Sequence, residues 1–100
     1  MELIESENEK IARHKEICQL LDDTYIKKNH DYGDSFGQSY QDWGITSAAI
    51  RIQDKFNRFK NYAKNNEYYV EDESVIDTLF DMANYCIMTI MELEPEFGAK

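Results

Sequence analysis

One stretch constrains the fold of this chain more than any other: Glu73 to Glu94, ESVIDTLFDMANYCIMTIMELE. Its length reads as helix, Asp72 or Ser74 can cap its start, and Pro95 is expected to end it. Ile76, Leu79, Ala83, Cys86, Ile90 and Leu93 recur at alternating three- and four-residue steps, which makes one continuous apolar seam. At about 100° per residue, Glu73, Asp77, Asp81 and Asn84 fall on the opposite side, continued by Met88 and Met91. Phe80, Met82, Tyr85 and Ile87 fill the flanks. A helix that is apolar nearly all round is central to its assembly. Carboxylates set into such a helix need a partner, because unpaired buried charge is expensive. The helix dipole and capping account for Glu73 and in part for Asp77, but they do not reach Asp81, two turns in.

The remaining sequence sets the frame for this helix. One hundred residues with 42% hydrophobic content suit a single domain over 1–100 with a folded core. No apolar run approaches the ~20 residues that span a bilayer, and MELIESENEK has no signal-peptide core, so a soluble cytoplasmic chain without membrane partners is expected. Eleven basic residues against twenty acidic give a net charge of −9, which argues against direct nucleic-acid binding through phosphate neutralisation. An acidic surface is compatible with an anionic ligand bridged by Mg²⁺, or with mimicry of DNA. Cys18 and Cys86 lack zinc or CxxC spacing and are expected to be buried, reduced thiols.

Two further helices are expected. Ser6 and Glu9 form a capping box that would open the first, and Ile11, His14, Cys18, Leu21 and Tyr25 form its seam, ending near Asn29. His14 on that seam is expected to be partly buried and hydrogen-bonded. Thr46 is a plausible N-cap for the second, which should run to about Asn65 with a seam of Ile45, Ala49, Ile52, Phe56, Phe59 and Ala63. Arg51, Lys55, Arg58 and Tyr62 line its flank, a basic stripe in an acidic protein. Between these helices lies NHDYGDSFGQSYQDWG, rich in glycine, aspartate and aromatic residues and without a clear period. It reads either as a connector whose aromatics cover one end of the bundle or as an ordered loop that closes on a base. The expected architecture is all-α, a bundle of three main helices with short helical turns possible in the connectors. Two apolar sides on the last helix cannot both be buried by two partner helices, so a homodimer is expected to complete the bundle.

The chemistry-bearing residues follow from this layout. Asp77, Asp81 and Asn84 at i, i+4 and i+7 present oxygens to one side of their helix, and Asp54 lies on the second helix. Mg²⁺ held by Asp54, Asp77 and Asp81 against ligand phosphates would relieve the repulsion; pairing with the basic stripe would do so with no ligand. In the ligand-bound reading Arg51, Lys55 and Arg58 neutralise phosphate, Asn84 orients a carboxylate or the sugar, and His30, Asp31, Tyr32 and Asp34 close over the base. No frame for Ser-His-Asp or Cys-His nucleophilic chemistry is present.

KKNHDYGDSF, RIQDKFNRF and DESVIDTLFDMANYCIM, in that order, resemble the nucleotide modification associated domain 1 family of phages and bacteria. The resemblance spans about Lys27 to Met91 and implies a part in phage nucleotide metabolism or base modification, without a defined reaction. More loosely, LFDMANY around Asp81 resembles the second carboxylate motif of the all-α nucleoside triphosphate pyrophosphatases of the MazG and dimeric dUTPase type. That resemblance implies Mg²⁺-dependent release of pyrophosphate. The pattern departs from it at Thr78, which stands where a Glu is usual, and in the second helix, where Asp54 replaces an ExxE motif. The expected function is therefore binding or processing of a nucleotide. Its alternatives are a non-catalytic nucleotide sponge or sensor, and an acidic interaction module that inhibits a host factor.

Overall fold

The computed structural model describes residues 2–65 and 74–97. Among the described residues the chain is all-helical, with four helices and no strand: α1 (Glu2–Tyr32), α2 (Ser35–Trp43), α3 (Ile45–Asn65) and α4 (Val75–Phe97). It divides into two compact units, 1–33 and 34–100. The connector 66–73, with the proposed cap Asp72 and with Glu73, lies outside the described residues.

The first unit is α1. The helix starts at Glu2 rather than at the Ser6–Glu9 capping box and continues past Asn29 to Tyr32. Glu and Leu before Ser6 are strong helix formers, so the chain is already helical when it reaches the box. A single helix has nothing of its own on which to bury a seam. His14 and Cys18 are accordingly exposed rather than buried, with Cys18 Sγ 3.7 Å from His14 Nδ1 one turn away. Gly33, at φ 69°, closes α1 in the left-handed conformation, its N–H donating to the Asn29 carbonyl at 2.7 Å.

The second unit packs α3 against α4, with α2 lying across both. The stretch NHDYGDSFGQSYQDWG is thus not a loop: it holds the last turn of α1, a two-residue turn and the nine-residue α2. Asp34 caps α2, accepting a hydrogen bond from the Gly37 N–H at 3.0 Å. Gly44, at φ 74° and ψ −165°, makes the corner into α3 in a conformation essentially closed to residues with a Cβ. It also replaces Thr46 at the head of α3, since the Ser47 N–H and Oγ both donate to its carbonyl, at 3.1 and 2.9 Å. At α4, Ser74 and Asp77 form a reciprocal capping box: the Asp77 N–H donates to Ser74 Oγ at 3.1 Å and the Ser74 N–H to Asp77 Oδ2 at 3.3 Å. Pro95 does not end α4, which runs on to Phe97. Proline's φ is helical, and in the final turn its missing N–H and the clash of its ring with the carbonyl four residues back fall where the helix is about to end.

The face that α4 turns inward is the reverse of the one its apolar seam suggests, while α3 turns in a mixed face. Toward the interior α4 turns Thr78, fully buried, and Asn84, 8% exposed, with Asp81, Tyr85 and Met88 half-buried. From α3 come buried Ala48 and half-buried Arg51, Ile52, Lys55, Arg58, Phe59 and Tyr62. The α4 seam points outward instead: Ile76, Leu79, Cys86 and Ile90 are exposed, with Ala83 and Leu93 half-buried. Cys86 is thus an exposed free thiol rather than a buried one.

The α2 cap gives a test of this local architecture. A Cβ on Gly37 would run into the Asp34 carboxylate that caps the helix. Helix propensity alone would have Gly37→Ala gain about 1 kcal/mol. The clash costs the cap, about 1 kcal/mol, and so cancels that gain: Gly37→Ala should leave stability in urea unfolding close to unchanged. In an Asp34→Ala background, with no carboxylate to displace, the same substitution becomes stabilising.

Candidate functional site

The charges of α3 and α4 are complementary: α3 carries five basic residues and one acidic, α4 five acidic and none basic. Where the helices meet, Lys55 Nζ lies 2.9 Å from Asp81 Oδ2, the two side chains 12% and 19% exposed. This is the partner that Asp81 needs in an apolar helix. A charge-assisted hydrogen bond of this length offsets much of the desolvation of both groups.

Along α3 from this pair, Arg51 sits in an aromatic setting. Its guanidinium carbon is 5.6 Å from the Phe36 ring centroid and 5.9 Å from that of Tyr85. The two rings are themselves stacked, with centroids 5.9 Å apart and planes 17° from parallel. Arg51 Nη2 donates to Ser39 Oγ on α2 at 3.1 Å. One side chain thereby ties α2, α3 and α4 together. The cation–π contacts with Phe36 and Tyr85 hold the guanidinium plane while Ser39 sets its rotation.

Arg51 also forms one wall of an open concavity of about 480 Å³ in the corner between α2 and α3, completed by Ser39, Trp43, Thr46, Ser47 and Ile50. Trp43, at the α2 end of this corner, is 76% exposed. A large aromatic surface left in water beside a fixed cation and three hydroxyls is a combination that folding alone does not require.

The residues expected at the site fall into separate places. Arg51, Lys55, Asp81 and Asn84 belong to the interior of the α2–α4 unit. Arg58 Nε lies 3.7 Å from Asp54 Oδ2 on its own helix, and the Asp54 side chain is 64% exposed. Asp77 caps α4 and is exposed, and Asp34 caps α2. His30, Asp31 and Tyr32 belong to the other unit, in the last turn of α1, all exposed, with His30 Nδ1 3.2 Å from Asp31 Oδ1. The three carboxylates expected to hold Mg²⁺ therefore have three different partners: Arg58, the α4 cap and Lys55. Among the described residues no three His, Cys, Asp or Glu side chains come together as a metal-holding group. A cation on Asp81 would have to displace Lys55, so this donor set does not fit a preformed divalent site.

Trp43, Ser39, Thr46 and Ser47 were not among the expected site residues. Trp43 carried a signal, as an aromatic within the aperiodic segment, but its use depended on recognising α2. The three hydroxyls carried none: Thr46 and Ser47 stand at a helix start, where Ser and Thr are ordinarily caps, and Ser39 lies within the aperiodic segment.

Residues 28–93 match the nucleotide modification associated domain 1 family, and the chain belongs to that family. The family's description ties it to nucleotide modification and names no reaction. Neither a curated protein nor a solved structure matches the chain. Among the described residues no helix is long and apolar enough to cross a membrane.

The Lys55–Asp81 pair can be tested through stability. Asp81→Asn alone leaves the ammonium without its counter-charge and should lower the unfolding free energy by about 3 kcal/mol, the low end for a buried pair because both groups keep some solvent. The double substitution Lys55→Met/Asp81→Leu should recover most of that loss in urea denaturation.

Proposed function

We propose that the α2–α4 unit binds a nucleotide in the corner between α2 and α3, as a nucleotide-modification-associated protein of phage or bacterial type. The observation that carries this reading is Arg51, fixed by Phe36, Tyr85 and Ser39 at the wall of a concavity that also holds exposed Trp43. A purine or pyrimidine stacks on the indole, since base–aromatic stacking is worth about 1–3 kcal/mol per base. The guanidinium takes the phosphate as a planar fork, Ser39 and Thr46 offer hydroxyls to the sugar or phosphate oxygens, and Ser47, whose proton goes to the Gly44 carbonyl, accepts from a sugar hydroxyl. The volume lies within the usual range for small-ligand sites, roughly 300–1,000 Å³. A basic anchor also explains how a chain of net charge −9 attracts an anion: the positive charge is concentrated on α3.

Binding without turnover is the form the residues favour. Mg²⁺ would bridge phosphate and carboxylate if it bound, but Asp54, Asp77 and Asp81 are each engaged separately. This chain's own residues bind and orient the ligand, in the manner of a sponge or sensor. The interaction-module reading rests on surface charge alone, and nothing in the geometry adds to it.

Trp43 is the single tryptophan of the chain, so tryptophan emission, excited at the red edge where the tyrosines do not absorb, reports on this corner alone. Titration with nucleoside mono-, di- and triphosphates should quench it, and Arg51→Gln should weaken binding about tenfold or more, the loss of one charge-assisted contact. Unchanged fluorescence and no heat with any nucleotide would remove the proposal. Pyrophosphate release in Mg²⁺ should stay at background; turnover abolished by Asp81→Asn would replace binding by hydrolysis.

A further inference from the structure

The outward seam of α4 is a surface without a partner in the chain's second unit. Ile76 is 57% exposed, Leu79 37%, Ile90 56%, and the flanking Ile87 and Met91 44% and 47%. Contiguous apolar surface of this kind is rare on a monomer.

We infer that this seam is the interface of a homodimer in which two α4 helices pack antiparallel about a twofold axis between Asn84 and Tyr85. The sequence of the seam is the reason. Residues 76, 79, 83, 86, 90 and 93 are spaced 3-4-3-4-3, which reads the same from either end. On antiparallel pairing Ile76 meets Leu93, Leu79 meets Ile90 and Ala83 meets Cys86, so every seam residue finds a seam residue in the other copy. These are the layers of an antiparallel coiled coil, and the small Ala83 and Cys86 fall at the centre, where the helices come closest. An isologous contact needs this self-complementarity.

Charge allows it as well. Asp77, Asp81 and Glu92 stand away from the seam, and the residues beside it are Val75, Phe80, Met82, Ile87 and Thr89, with Glu94 alone charged at the margin. Two acidic helices can therefore meet along the one face that carries almost no acid.

The family match points to a second copy rather than to α1 as the cover. It runs from 28 to 93 and so contains the whole seam, up to its last residue Leu93, but only the end of α1. The domain carries the seam without carrying that helix.

The test uses the full chain. Light scattering at tens of micromolar should give twice the monomer mass, and Leu79→Glu/Ile90→Glu should halve it. To separate loss of the interface from loss of the fold, cysteine crosslinking supplies an independent reading in a Cys18→Ser/Cys86→Ala background. There Leu79→Cys protein and Ile90→Cys protein should form a disulfide with each other on oxidation, and neither with itself, since equivalent residues lie about 16 Å apart along the axis. A monodisperse monomer overturns the inference, and so does self-crosslinking of either single variant. A dimer that survives the double Glu substitution and never crosslinks through these positions overturns it too.

Discussion

The contact between α3 and α4 is polar, and the rest of the unit follows from that. A lysine and an aspartate lie 2.9 Å apart inside the helix pair, beside a threonine with no exposed surface and an asparagine nearly as buried. Groups of this kind are tolerated in an interior only when they satisfy one another. The Lys55–Asp81 contact fixes the rotation of α4 against α3, and once that rotation is fixed the apolar seam of α4 has no choice but to face outward. Loosely packed hydrophobes would leave several rotations nearly equal in energy; a charge pair with one geometry does not.

The same arrangement explains why α2 is where it is. Phe36 is one of only two buried hydrophobic residues among the described part of the chain, the other being Ala48. It stacks on Tyr85 and under Arg51, so the nine-residue helix is held by one aromatic ring and one arginine rather than by a broad apolar face. The interior is small, and much of its order comes from directional contacts.

What could be read from the sequence divides along physical lines. The helical course of the chain was legible, because periodicity and helix formers are local properties, and α4 stood out by its length. So was the need of Asp81 for a partner on the preceding helix, though not that the partner would be Lys55 and not an arginine or a cation. Which side of α4 faces inward was not legible: the 3-4 seam reads as a core in any sequence, and only the ion pair across the interface reverses it. α2 was hidden because Asp34, Gly37 and Gly44 look like loop residues, when two of them serve as cap and corner and the third leaves room for the cap. The ends of α1 and α4 were missed for a simpler reason. A capping box or a proline marks a boundary only when the residues on its far side do not themselves prefer helix.

Gly44 carries one more consequence. The walls of the concavity are divided between two rigid helices, Ser39 and Trp43 on one side and Thr46, Ser47, Ile50 and Arg51 on the other, and a single residue joins them. The opening angle is therefore governed by the two torsions of that glycine, restrained by the tether from Arg51 to Ser39. Anything that lodges between the walls works as a wedge against one joint. Any rotation of α2 about that joint would have to move Phe36 against the ring stack on α4.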